Sequence, residues 1–217
     1  MTDIFSIVSP DESLGFLNPV LESWADIIKS YPYDKYDDCP YYYSERMNTG
    51  LLGCAALMSN SFYPLEEHPI GRRIGPTKEK DNRSGRLDLW LVNCSSNKKN
   101  ATDVIIESKM AWRPISIIKK SNDAASQLRR ITGSYTRDCW KLSAVFCAPR
   151  FAESKFKEPE EKIMELIKSI NESLKNSLDN KKYITAHCYP KAARSVKVGG
   201  NRGRYFYPGV SLVLVTV

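Results

Sequence analysis

The sequence predicts an α/β domain in which helices flank a mixed β-sheet. Three observations carry this reading. The runs RLDLWLVN (86–93) and DVIIESK (103–109) are strand-like, and the polar stretch CSSNKKNAT joins them as in a hairpin. KLSAVFCAP (141–149), KYITAHCY (182–189) and GVSLVLVTV (209–217) are apolar and rich in β-branched or aromatic residues, as expected of buried strands. Between them stand two segments with helical periodicity, so strands and helices alternate and helices must cover the sheet.

Taken in order, FLNPVLESWADIIKSY (16–31) has apolar residues at helical spacing and is read as a first helix. The tyrosine-rich stretch YPYDKYDDCPYYY (31–43) is read as a loop because of its prolines and aspartates. SERMNTGLLGCAALMS (44–59) is a second helix with Ser44 as its N-cap, and its glycines suit close packing on a sheet. Residues 64–85, rich in proline, glycine and charge, are expected to form a long loop or a short edge strand. SNDAASQLRRITGSY (121–135) reads as a helix capped by Ser121. PEEKIMELIKSINESLKNSL (159–178) is the clearest helix, with Pro159 in its first turn and an apolar stripe of Ile163, Ile167, Ile170 and Leu174. The basic segment KAARSVKVGGNRGRYFY (191–207) is expected to be an exposed loop.

The 217 residues, 42% hydrophobic and 26% charged, suit one domain spanning 1–217 with a sizeable core. No run approaches the roughly 18 apolar residues that would cross a bilayer. The N-terminus lacks the basic start and apolar core of a signal peptide, so a cytoplasmic protein without membrane partners is expected. The six cysteines are scattered without a C-x-x-C pair, which argues against disulfides, and with only His68 and His187 a structural zinc site is not expected. Charge is divided unevenly. Residues 1–108 carry 11 basic and 16 acidic side chains, whereas residues 109–217 carry 21 basic and 9 acidic. Such asymmetry points to an anionic partner, nucleic acid first.

Chemistry concentrates in the hairpin. Four Asp/Glu-x-Lys triplets occur in the chain, but only Glu107 and Lys109 end a β-branched run and follow a strand with its own aspartate, Asp88. Residues two apart share a face of a strand, so Glu107 and Lys109 point the same way, and Asp88 faces them if the register permits. Two close carboxylates repel unless a proton or a cation sits between them. Mg²⁺ (or Mn²⁺) answers that need, because it prefers carboxylates and waters. Lys109 is then placed to orient or deprotonate an attacking water, or to hold a phosphate.

Asp88 followed across a hairpin by Glu107-Ser108-Lys109 resembles the signature of the PD-(D/E)xK nuclease superfamily. The resemblance covers about residues 44–150 and implies a restriction-endonuclease-like αβββαβ core with N- and C-terminal elaborations. It implies metal-dependent hydrolysis of phosphodiester bonds, DNA being the expected substrate, with Asp88 and Glu107 as metal ligands and Lys109 as the catalytic lysine. Many members add a glutamate from the first core helix, here Glu45, with Glu22 as an alternative. Some use a glutamine on the helix after the lysine strand, where Gln127 stands.

Arg129, Arg130 and Arg137 after the candidate site, and Lys191, Arg194, Lys197, Arg202 and Arg204 in the late basic segment, are candidates for phosphate contacts. Tyr205, Phe206 and Tyr207 beside them are candidates for base stacking. A catalytically silent nucleic-acid-binding or protein-interaction module on the same fold is the competing reading, and a small enzyme unrelated to nucleic acid a third. No phosphate-binding glycine loop or nucleophile elbow supports the third. No separate DNA-reading module is evident, so specificity would come from loops or from a partner protein, and a homodimer would suit double-strand cutting.

Overall fold

The computed structural model describes residues 2–73, 82–95, 102–132, 137–178, 180–200 and 203–217. The elements in chain order are β1 (Ile4–Val8), α1 (Asn18–Ser30), the one-turn α2 (Tyr33–Tyr36), α3 (Glu45–Met58), β2 (Phe62–Arg73), β3 (Asn82–Asn93) and β4 (Val104–Ala111). They continue with α4 (Ile117–Leu128), the short β5 (Ile131–Thr132), β6 (Trp140–Cys147), β7 (Phe151–Ala152) and α5 (Pro159–Ser177). The chain finishes with β8 (Tyr183–Tyr189), β9 (Lys197–Gly200), β10 (Gly203–Phe206) and β11 (Val210–Thr216).

An eight-stranded sheet in the order β1-β8-β11-β6-β4-β3-β2-β5 forms the centre, and β7-β10-β9 make a small second sheet. Every pairing is antiparallel except that of β4 with β6, so the large sheet is mixed, as expected. The strand alternation feeds two separate cores. On β11, Val210, Leu212 and Leu214 join the core beneath α1 and α3, whereas Val213 and Val215 join the core beneath α5 and the start of α4. On β6 the same division separates Leu142, Ala144 and Phe146 from Val145 and Cys147. Strands buried on both faces read as continuous apolar runs, which is why these were legible.

Local chemistry fixes where α3 begins and how closely it packs. Ser44 caps α3 by accepting from the Met47 N–H at 3.2 Å, which leaves Glu45 as its first helical residue. A carboxylate is favoured there by the positive end of the helix dipole. Gly50 and Gly53 give Glu66 of β2 room against the helix. A Cβ at Gly53 would meet Glu66 Oε1 at 3.2 Å and Pro64 Cβ at 3.3 Å.

Four expectations need correction. The helix expected at 121–135 begins at Ile117, after a turn at Pro114–Ser116, and ends at Leu128. Ser121 is therefore no cap. It lies in the buried stripe Ile117, Ser121, Ala124, Ala125, Leu128, its hydroxyl 2.7 Å from that of Ser143. The segment from residue 64, expected as a long loop or a short edge strand, contains most of the twelve-residue β2. Both of its prolines, Pro64 and Pro69, are nonetheless held within the ladder to β3, opposite Leu91 and Arg86. The late basic segment expected as a loop carries β9 and β10, and the expected order also lacked β1, β5, β7 and the one-turn α2, which lies in the tyrosine-rich stretch expected as a loop.

All six cysteines are free thiols. Among the described residues no helix is long and apolar enough to cross a membrane. His187 is fully buried on β8 between the Ser211 hydroxyl at 2.8 Å and Asn171 Oδ1 at 3.1 Å. Burial disfavours its charged form and pushes its pKa down to about 4.

Candidate active site

Strands β3 and β4 pair only through Leu89–Leu91 and Val104–Ile106. Past Ile106 the β3-facing edge of β4 is no longer served by ladder carbonyls, yet its N–H groups still need acceptors. Carboxylates supply them. Asp88 Oδ2 accepts from Ser108 N at 2.7 Å, and Glu45 Oε2 accepts from Met110 N at 3.1 Å. Ser108 and Met110 are two apart, so both N–H groups point to the same edge. One carboxylate comes from β3 and the other from the first turn of α3, so the fork between two strands gathers groups distant in sequence.

Lys109 lies within this fork. Its Nζ donates to the Ser108 carbonyl at 2.5 Å and stands 3.4 Å from Glu45 Oε1 and 3.6 Å from Glu107 Oε1. Its side chain keeps only 16% of its exposure, and Glu107 is 3% exposed. A lysine so enclosed is positioned by two anionic oxygens and a carbonyl rather than waving in solvent. Its charge in turn offsets the cost of burying Glu107.

Asp88 borders a small cleft of about 80 Å³ that is also lined by Glu45, Arg46, Thr49, Glu66 and Glu67. Sequence reasoning missed Glu66 and Glu67 because their segment has the composition of a loop. The signal was present in the adjacent pair of glutamates beside a strand. Glu66 and His68 pair with Leu89 and Leu87, which sets Glu67 across from Asp88. Glu67 has φ 52°, a left-handed backbone conformation that a non-glycine residue adopts at a cost of about 1–3 kcal/mol, and its carboxylate lies 3.5 Å from Arg86.

The chain matches no family model, and no curated protein or solved structure is significantly similar to it. Function must therefore be read from the site.

The donor set fits a hard divalent cation. Asp88 commits Oδ2 to the backbone, and among the described residues its Oδ1 accepts no hydrogen bond. No three His, Cys, Asp or Glu side chains among the described residues are grouped closely enough to hold a metal by themselves. Mg²⁺ is usually held by one or two carboxylates while waters and substrate oxygens complete its shell. Both oxygens of Glu45, expected as a ligand, are engaged in this structure, one by Met110 N and one by Lys109. One glutamate side chain thus touches both the lysine and its strand.

The remaining expected residues are dispersed. Gln127 is half-buried near the end of α4, and its side chain makes no hydrogen bond with Glu45, Asp88 or Lys109. Glu22 is exposed on α1. Arg129, Arg130 and Arg137 are exposed, as a phosphate-binding role requires, and so is Lys191. Arg194 is not. It is 5% exposed, 3.0 Å from Glu160 Oε1, and donates to the carbonyls of Thr2 at 2.7 Å and Tyr189 at 3.2 Å, so its guanidinium is used inside the fold. Lys197 pairs with Glu153 at 2.7 Å. Arg202 and the side chain of Arg204 lie outside the described residues. Phe206 and Tyr207 are buried and serve the core, which removes them as exposed stacking platforms.

Proposed function

We propose that this protein is a metal-dependent nuclease that hydrolyses phosphodiester bonds in DNA. One observation carries the reading: carboxylates from β3 and α3 converge on the strand segment bearing Glu107 and Lys109, and two of them engage its backbone. Apart from the two-residue β5 between α4 and β6, the run α3-β2-β3-β4-α4-β6 follows the αβββαβ order that the resemblance to the PD-(D/E)xK superfamily implies. The basic second half of the chain supports a polyanionic substrate.

Asp88 and Glu107 would hold Mg²⁺ or Mn²⁺. When bound, the ion acidifies a coordinated water and stabilises negative charge at phosphorus. The chain's own groups perform the rest. Lys109, held by Glu45 and the Ser108 carbonyl, donates an N–H to the attacking water or to a non-bridging phosphate oxygen, fixing the line of attack. Water adds to phosphorus, the bond to the leaving oxygen breaks, and that oxygen takes up a proton. Glu45 prevents Lys109 from swinging out of reach.

The test incubates the purified full-length chain with plasmid, linear duplex, single-stranded DNA and RNA, each with Mg²⁺, Mn²⁺ or EDTA, beside Lys109→Ala. Metal-dependent DNA cleavage that disappears in the variant supports the nuclease. Cleavage that survives in Lys109→Ala, or no cleavage with any substrate and metal, overturns it.

A further inference from the structure

Past Lys109, β4 leads into a groove of about 440 Å³ whose lining begins at Met110, the residue whose N–H Glu45 accepts. Its walls combine the rings of Tyr42, Trp112 and Tyr207 with the cationic side chains of Arg113, Lys120 and Arg150. Tyr42 and Tyr207 have ring centroids 4.5 Å apart, and Trp112 lies 6.1 Å from the first and 6.2 Å from the second. Trp112 keeps 39% of its surface exposed, although a tryptophan on a free surface is disfavoured by about 25 cal/mol for each Å² of apolar area left in water. The Arg150 guanidinium lies 4.9 Å from the centre of the Tyr205 ring, which holds it at the rim. No carboxylate lines the groove, and among the described residues none of the three cations is in an ion pair.

The pattern is polar in one direction along the strand. Carboxylates meet the strand from Ser108 to Met110, and aromatic faces with unpaired cations line the groove that follows from Met110 to Arg113. An aliphatic or neutral ligand would leave three cations uncompensated. A paired duplex would offer them phosphates but would keep its base faces stacked and out of reach of the rings. A strand with unpaired bases satisfies both features, because phosphates meet the cations and a base face meets an aromatic ring.

We infer that this groove binds unpaired nucleotides of single-stranded DNA adjoining the phosphate to be cut, with Trp112 and Tyr42 receiving a base and Arg113, Lys120 and Arg150 receiving phosphates. The inference deepens the nuclease reading and rests on it, since it makes the substrate a single strand or a duplex carrying a single-stranded extension.

The test measures binding of the full-length protein in EDTA, where cleavage does not interfere. The probes are a labelled DNA strand of about 12 nucleotides, the blunt duplex of the same sequence and the matching RNA strand. Single-stranded DNA is expected to bind most tightly. Trp112→Ala should weaken that binding roughly tenfold and Trp112→Phe much less, with little change for the duplex. Arg113→Ala with Lys120→Ala should lower the slope of log affinity against log salt by about 1.4, two phosphate contacts being lost. Duplex bound as tightly as the single strand, or Trp112→Ala with unaltered affinity, overturns the proposal. Tighter binding of RNA overturns the assignment to DNA. If Trp112→Ala melts early, the double variant at Arg113 and Lys120 decides, and an unchanged salt slope sinks the groove. The two readings separate cleanly. Cleavage without Trp112 dependence removes the groove alone, whereas Trp112-dependent binding without any metal-dependent cleavage removes the nuclease alone.

Discussion

Lys109 Nζ stands 3.4 Å from Glu45 Oε1, and the second oxygen of the same glutamate accepts from Met110 N, so one side chain of α3 grips both the lysine and its strand. This relationship separates two jobs that variants can distinguish. Glu45→Gln keeps an acceptor for Met110 N but loses the charge facing Lys109. Glu45→Ala loses both. Cleavage is expected to fall about tenfold in the first and about a hundredfold in the second, against about a thousandfold in Lys109→Ala. Equal losses in Gln and Ala would show that the backbone grip is irrelevant.

Asp88 likewise has a structural and a chemical half. Asn at this position can still accept from Ser108 N, so Asp88→Asn should melt near wild type while Mn²⁺ binding, followed by calorimetry, weakens at least tenfold. Asp88→Ala leaves the buried N–H of Ser108 without its acceptor and should cost about 1–3 kcal/mol in denaturant unfolding. A large stability loss in Asp88→Asn would contradict this division.

Ser108, between Glu107 and Lys109, is fully buried, and its hydroxyl has no hydrogen-bond partner among the described residues. Its role lies in its main chain. Ser108→Ala is expected to raise stability by up to about 1 kcal/mol, by removing a buried hydroxyl left unsatisfied, and to leave cleavage within about twofold. A clear drop in activity would mean that the hydroxyl itself takes part.

Arg194 should behave as a residue of the fold. Arg194→Met is expected to lower unfolding free energy by about 2–4 kcal/mol, since it strips Glu160 and two carbonyls of their donor. The salt dependence of nucleic-acid binding should not move. A shallower salt slope with unchanged stability would return Arg194 to the surface.

The buried His187 sets an acid limit. Its pKa is lowered to about 4 from an ordinary 6.5, so its contribution to stability is fully present above pH 6.5 and is lost as pH falls toward 4. Between pH 6.5 and 5, where carboxylates titrate little, the loss should reach about 2 kcal/mol. Urea midpoints across that window measure it, and an NMR titration of His187 itself centred near 6.5 would falsify the assignment.

Much of the fold was legible because local rules and tertiary packing agree. The double-faced strands β6, β8 and β11 declare themselves as unbroken apolar runs, and the stripe of α5 from Ile163 to Leu174 matches its helical period. Ser44 caps α3 as its side chain suggests. Local signals mislead where they conflict with packing. The prolines of β2 argue for a loop, yet its partner β3 supplies a ladder along twelve residues. Ser121 looks like a cap, but Pro114 starts the preceding turn and the serine is drawn inward to Ser143.

The same boundary runs through the candidate site. The order of residues is enough to establish that Glu107 and Lys109 share a strand face, because a strand alternates with period two, and that Asp88 and Glu45 lie on the neighbouring elements. The parting of β3 and β4 after Leu89 and Ile106 exists only in the folded chain, since no local pattern records where a ladder ends. That parting leaves the N–H groups of Ser108 and Met110 in need of acceptors, and the buried backbone's demand for hydrogen bonds draws Asp88 and Glu45 onto the lysine strand.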